Sequence, residues 1–134
     1  MLGIDLIEIN RLEKILKKHA NFLERVFGDA EFLQIQKRGF PVQSIAGNFC
    51  AKEAFLKAIG TGIGEGINLK DIEILRNEKN APYIKLKKDN LVLRRYKSVK
   101  FSVSIAHTKK YATAVVSGEF CCQNTCWKNQ NKKY

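Results

Sequence analysis

Residues 42–60 read VQSIAGNFCAKEAFLKAIG, and this stretch decides the architecture. Its large apolar side chains, Ile45, Phe49, Phe55, Leu56 and Ile59, converge on one arc at 3.6 residues per turn, which predicts a helix over residues 42–59. Gly39 and Pro41 interrupt what precedes it, and Gly60 is the residue type that ends a helix in the left-handed conformation. Lys52 falls inside the apolar arc and Glu53 lies at its edge. Charges in such positions are costly unless they find partners.

Toward the N-terminus, residues 2–9 alternate as a strand that puts Asp5, Ile7 and Ile9 on one side. Asn10, with Glu13 three residues on, reads as the N-cap of the next helix. That helix is two-faced: Leu12, Ile15 and Leu16 form an apolar stripe, and Arg11, Lys14 and Lys18 a basic one. Shorter helical patterns follow over 21–27 and 29–37. Toward the C-terminus come a glycine-rich run at 60–66, strands at 67–75 and 83–86 around a turn region ending at Pro82, and a helix at 89–96. A hairpin of 99–107 with 111–116 closes the pattern; Val99, Phe101, Val103 and Ile105 share a face that His107 continues at the strand end. The expected fold is α+β, with a mainly antiparallel sheet and helices packed on one side. One domain spans residues 1–119, followed by a divergent, poorly ordered tail at 120–134.

Composition narrows the class. The 134 residues carry 24 Lys+Arg against 13 Asp+Glu, a net charge of +11, and setting aside the tail lysines Lys128, Lys132 and Lys133 leaves +8. A body this basic calls for an anionic partner: nucleic acid, a phosphorylated metabolite or an acidic protein. No apolar run approaches the ~20 residues that span a bilayer, so a membrane role is excluded. Acids occupy residues 1–8, where a signal peptide needs a basic segment, so the expected location is the cytoplasm. Of four cysteines only Cys50 lies in the body; Cys121, Cys122 and Cys126 sit in the tail without the second ligand pair or histidine of a zinc site.

Several residues are able to carry chemistry. The glycine run follows a helix and lacks the Lys-Ser/Thr of a P-loop, so it reads as a helix stop and turn in which bare backbone can approach a phosphate. Asp5 on its strand and Glu53 on its helix edge are two carboxylates in apolar surroundings, which suits a hard cation of the magnesium type. The simpler reading of Glu53 is an i,i+4 ion pair with Lys57. His107 is open to three roles: base, phosphate contact or turn residue.

Four segments in register change the weighting. GIDLIEI at 3–9 with Arg11, FCAKEAFLKA at 49–58, GTGIG at 60–64 and VSIAHT at 103–108 resemble the holo-[acyl-carrier-protein] synthase family, the short bacterial-type 4′-phosphopantetheinyl transferases, over about residues 2–117. The resemblance implies transfer of the 4′-phosphopantetheine arm of coenzyme A to a serine of apo acyl carrier protein, in support of fatty acid biosynthesis, with release of adenosine 3′,5′-bisphosphate. It implies a 4′-phosphopantetheinyl transferase-like α+β fold and a homotrimer with sites between subunits. Asp5 and Glu53 match the residues that hold Mg²⁺ against the diphosphate, and Lys57 joins them as a catalytic charge clamp. Lys57, Gly60, Gly62, Pro82, His107 and Thr108 match the coenzyme A site. Arg11 matches a carrier-protein docking position, and its stripe with Lys14 and Lys18 suits an acidic carrier.

The chain departs from the family at Asn48, where many relatives have an arginine near the 3′-phosphate; Lys37, Arg38 or a neighbouring subunit are the available substitutes. The tail from Phe120 does not match either. Lys52 is expected to face the anionic site or an interface. Asp29, Glu31, Glu53 and a metal-bound water are all open as general base. The rival reading is a small basic nucleic-acid-binding module, based on Arg94, Arg95, Lys97 and Lys100; it is weaker because the aromatics do not interleave with the basic residues.

Overall fold

The computed structural model describes residues 1–121. The chain runs through strand β1 (Leu2–Glu8), helices α1 (Ile9–Lys18), α2 (Phe22–Val26), α3 (Asp29–Lys37) and α4 (Val42–Ile59), the strand pair β2 (Ile72–Arg76) and β3 (Pro82–Leu86), and the hairpin β4 (Val99–His107) and β5 (Tyr111–Phe120). β1, β5 and β4 form a three-stranded sheet in that order, and β2 and β3 a separate pair; every pairing is antiparallel. The expected α+β fold with helices on one side of the sheet is therefore observed.

α4 spans the expected residues and ends where Gly60 turns left-handed at φ 71°. It crosses the inner face of the sheet from β4 to β1. A Cβ on Gly47 would come 2.7 Å from Ile105 Cγ2 on β4, and the Cys50 thiol donates to the Ala112 carbonyl on β5 at 3.4 Å. At the other end a Cβ on Gly3 of β1 would overlap the Ala54 carbonyl oxygen and come 2.5 Å from the Ala58 nitrogen. Glycine and alanine at these crossings let the backbones approach, and the alternation of β1 then turns Asp5 and Ile7 inward beside the helix.

On its other side α4 meets α3 and β2. Lys52 has 0% exposure there: its Nζ pairs with Glu31 Oε2 at 2.6 Å and donates to the carbonyls of Val26, Leu69 and Ile72 at 2.8, 2.9 and 2.6 Å. Four converging oxygens hold an ammonium, with the Phe27 ring 5.2 Å away. Burial pushes the Glu31 carboxyl up to about 7 and the Lys52 ammonium down; their mutual attraction opposes both shifts. Lys52 thus faces neither the anionic site nor an interface, which corrects the expectation. Glu31, equally buried, is removed from the general-base candidates. Asn48 is interior too, donating to Glu31 Oε1 at 3.2 Å and to the Ile74 carbonyl at 3.1 Å.

Other expectations shift locally. Strand β1 runs directly into α1, whose N-cap is Glu8 without a side-chain hydrogen bond; Asn10 sits inside the first turn rather than capping it. The buried Ile9 decides this, its N–H bonding the Lys110 carbonyl at 2.8 Å. β2 begins at Ile72 because residues 69–71 form a 3₁₀ turn. The helix expected over 89–96 contracts to a 3₁₀ turn at Leu93–Tyr96, since the Asn90 side chain accepts from the backbone N–H groups of Val92 and Leu93. β5 extends through Phe120, four residues past its expected end and one past the expected domain boundary. Beyond Cys121 the proposed tail lies outside the described residues. Among the described residues no helix is long and apolar enough to cross a membrane.

Candidate active site

β1 and α4 bring the first group together. Asp5, with its side chain 17% exposed, accepts a hydrogen bond from Lys57 Nζ on Oδ1 at 2.8 Å. Glu53 stands one turn before Lys57 on the same helix and is half-buried. The anticipated Glu53–Lys57 ion pair is replaced by the Asp5–Lys57 one, because the strand carboxylate lies within reach of the lysine, and among the described residues Glu53 has no ion pair. Burial raises the Glu53 carboxyl and the Asp5 charge raises it further, with Lys57 opposing. The hydrogen bond to Asp5 raises Lys57. Beneath them burial, then the charges of Asp5 and Glu53, push the Cys50 thiol up to about 12, so it stays protonated.

Two carboxylates and one ammonium leave this cluster one negative charge in excess, in the setting where Glu53 most resists ionising alone. That charge balance and the all-oxygen donor set fit a hard divalent cation. No group of three His, Cys, Asp or Glu side chains able to hold a metal occurs among the described residues. The cluster therefore suits a cation that completes its shell with water and substrate oxygens, as Mg²⁺ does, rather than one needing an all-protein cage.

Gly60 and Gly62 lie immediately past Lys57, at the carboxyl end of α4. The loop is held by Glu65, which accepts from the Thr61 hydroxyl at 2.6 Å and from the Gly62 N–H at 3.4 Å.

Pro82 and His107 are elsewhere. They line a cleft of about 280 Å³ between β3, β4 and the first turn of α4, together with Arg38, Arg76, Asn80 and Ser104. Thr108, next in sequence, has its Oγ1 accepting from the N–H groups of Lys110 and Tyr111 at 3.2 and 3.1 Å, which shapes the β4–β5 turn. In one chain these two groups do not meet. Asp5 and Ile105 both face Ala114 across the sheet and stand two strand spacings, about 10 Å, apart. From Ser44 beside the cleft to Lys57 in the cluster, α4 rises about 20 Å.

On α1, Arg11, Lys14 and Lys18 are exposed while Leu12 is buried and Ile15 and Leu16 half-buried. A neighbouring groove of about 650 Å³, with Phe22, Phe49, Ile63 and Leu69 in its wall, was not anticipated; nor was Arg76. Neither carries a local signal, since the groove gathers residues of separate elements and Arg76 ends an ordinary strand.

The chain is similar to known proteins in both sequence and fold. Residues 1–116 match the 4′-phosphopantetheinyl transferase superfamily. The holo-[acyl-carrier-protein] synthase of Oceanobacillus iheyensis is 42% identical over 119 residues, covering 86% of this chain and 92% of that protein. Its counterpart in Syntrophus aciditrophicus is 45% identical, covering 85% and 91%. Among solved structures, the Helicobacter pylori holo-[acyl-carrier-protein] synthase in complex with coenzyme A superposes with a TM-score of 0.77 at 37% identity, over 89% of this chain and 100% of that one. With its four motifs in register on a matching fold, the chain belongs to the 4′-phosphopantetheinyl transferase superfamily and, within it, to the holo-[acyl-carrier-protein] synthases.

Proposed function

We propose that the chain is a cytoplasmic, magnesium-dependent holo-[acyl-carrier-protein] synthase that moves 4′-phosphopantetheine from coenzyme A to apo acyl carrier protein. The observation that carries this reading is the Asp5–Glu53–Lys57 cluster, built where β1 meets α4, in a chain whose relatives bear that name. The carrier's serine oxygen bonds to the phosphorus next to pantetheine; the bond from that phosphorus to the bridging oxygen breaks; adenosine 3′,5′-bisphosphate leaves and the serine proton is lost. Asp5 and Glu53 are the residues that would hold Mg²⁺, which when bound supplies charge neutralisation on the diphosphate and the leaving group. Lys57, already hydrogen-bonded to Asp5, adds a positive charge beside the diphosphate. Gly60 and Gly62 permit close backbone approach, and Pro82, His107 and Thr108 serve the nucleotide end of coenzyme A.

The separation of the two groups along α4 supports sites completed by a second copy, because the 5′-diphosphate and 3′-phosphate of coenzyme A hang from one ribose. The outer face of β1 supports a trimer as well: Leu2, Ile4 and Leu6 are 71, 63 and 64% exposed, an apolar row that association would cover. Lys52 gives no support to an interface, since its partners all lie inside one chain, and the Asn48 amide nitrogen is engaged there too, with its buried Oδ1 left unpartnered among the described residues. Arg11, Lys14 and Lys18 offer the acidic carrier a dock, and the basic charge goes to coenzyme A and carrier rather than to nucleic acid.

The test is mass spectrometry of apo acyl carrier protein after incubation with coenzyme A and Mg²⁺, which should show the gain of one phosphopantetheine. Asp5→Ala and Glu53→Ala should each abolish most turnover while circular dichroism stays native. An unmodified carrier with the native enzyme overturns the reading, and near-normal turnover in either folded variant overturns the ligand assignment.

A further inference from the structure

The glycine loop at 60–66 is anchored at its start and little tied through its middle. Its first residues finish α4, with the Gly60 and Thr61 N–H groups donating to the Lys57 and Leu56 carbonyls at 3.2 and 3.0 Å. Among the described residues no backbone-to-backbone hydrogen bond involves residues 62–67. Gly64 and Gly66 take φ of 92 and 84°, a region that glycine enters and leaves at little cost. The brace from Glu65 to Thr61 and Gly62 is exposed, where water competes with it.

The far end of the loop is tied from outside, by the turn at 90–96. Asn90 uses its whole amide there. Its Nδ2 donates to the Gly66 carbonyl at 3.0 Å and to Asp71 Oδ2 at 2.8 Å, and its Oδ1 accepts from the Val92 and Leu93 N–H groups at 3.0 and 3.1 Å. Asp71 is buried, and is held in turn by the Asn68 N–H at 3.4 Å and by Lys87 Nζ at 3.6 Å. Leu93, also buried, roots the turn in the core. The Tyr96 hydroxyl stands 3.5 Å from the Ile59 carbonyl, where the loop begins. One turn thus reaches both ends of the loop. Val92 packs on it as well, since a Cβ on Gly66 would come 3.0 Å from Val92 Cγ2.

We propose that Asn90 is a positioning residue for coenzyme A: through the Gly66 carbonyl it fixes the far end of the glycine loop, and with it the backbone that the 5′-diphosphate approaches. This rests on the transferase reading, in which Gly60 and Gly62 lie beside the diphosphate. Asn90 acts through Gly66 and touches no reacting atom. A loop already held in shape spares the substrate the entropy of ordering it at each encounter. An amide suits the task because it accepts on one side and donates on the other. A serine or an aspartate in its place could accept from Val92 and Leu93, but could not also donate to both Gly66 and Asp71.

Two variants separate this role from mere support of the turn. Asn90→Ser keeps an oxygen for the Val92 and Leu93 N–H groups and loses the reach to Gly66, whereas Asn90→Ala loses both. In calorimetry each should bind coenzyme A about threefold to tenfold more weakly than the native protein, the size of one hydrogen bond. In turnover each should raise KM for coenzyme A by a similar factor, with the loss falling on that constant more than on kcat and KM for carrier protein unmoved. Asn90→Ala alone should also lower the melting temperature, because it alone uncaps the turn. A purely structural Asn90 gives a different pattern: affinity falls only in step with melting temperature, and Asn90→Ser binds coenzyme A as the native protein does. That pattern overturns the proposal. Should Asn90→Ser weaken coenzyme A binding while the native protein leaves the carrier unmodified, the positioning role stands and the transferase reading falls. Transfer by the native protein with unchanged coenzyme A affinity in Asn90→Ser does the reverse.

Discussion

Lys52 and Glu31 show how much one pair depends on its surroundings. Either charge alone in that interior would lack a counter-ion, and removing one partner of such a pair costs about 3–5 kcal/mol. Lys52→Met should therefore lower the melting temperature sharply. Its pH dependence has a definite sign. The Glu31 carboxyl is raised from 4.5 to about 7 even with Lys52 pulling it down, and without Lys52 it rises higher. A folded value above the unfolded one gives stability that is full below the unfolded value and declines as pH rises through the folded one. The melting temperature of Lys52→Met should thus fall from pH 5 to pH 8 more steeply than that of the native protein. Equal slopes would show that Glu31 is not held in place by this ammonium.

Among the elements, the crossing of β1 on α4 positions the site. Gly3 stands where any Cβ meets the Ala54 carbonyl, so Gly3→Ala must push the strand that carries Asp5 away from the helix that carries Glu53 and Lys57. Such overpacking costs about 1–3 kcal/mol. Turnover should fall and the Mg²⁺ concentration for half-maximal rate should rise, while far-ultraviolet circular dichroism remains native. Unchanged Mg²⁺ dependence would mean that the crossing does not set the cluster. α1 is tested separately because its apolar stripe anchors it and its basic stripe faces out. Reversing Arg11 and Lys14 to Glu should raise KM for carrier protein several-fold and leave KM for coenzyme A nearly unchanged. Because the Debye length is ~8 Å at physiological salt, the effect should fade as salt increases. A parallel rise in both constants would place the dock elsewhere.

The whole molecule is expected to act as an assembly of copies. The cluster and the His107 cleft lie toward opposite ends of α4, about 20 Å apart along its axis, farther than one ribose carries its 5′-diphosphate from its 3′-phosphate, which is the basis of the proposed composite site. Lys57→Ala and His107→Ala, each expected to be weak alone, should recover activity when unfolded and refolded together, because in a composite assembly some sites would combine an intact cluster from one chain with an intact cleft from another. Light scattering should find a trimer that buries Leu2, Ile4 and Leu6. Strictly additive activity in the refolded mixture, or a fully active monomer, would refute the composite site.

Sequence by itself determined the features that depend on local period and steric type. The arc of Ile45, Phe49, Phe55, Leu56 and Ile59 and the left-handed stop at Gly60 delimit α4 without reference to any other element. The alternation of β1 is enough to turn Asp5 inward. The motifs around Asp5, Glu53 and His107 were legible through their resemblance, in register, to a known family, since spacing alone left Glu53 as an ion pair and His107 open among three roles. Tertiary structure alone decided which charges meet. Lys57 pairs with Asp5 rather than with Glu53 one turn away, and Lys52 finds Glu31. The cause is physical: a side chain's partner is fixed by the packing of elements distant in sequence. The cost of burying a charge makes that packing choose the partner, whatever spacing along the chain suggests.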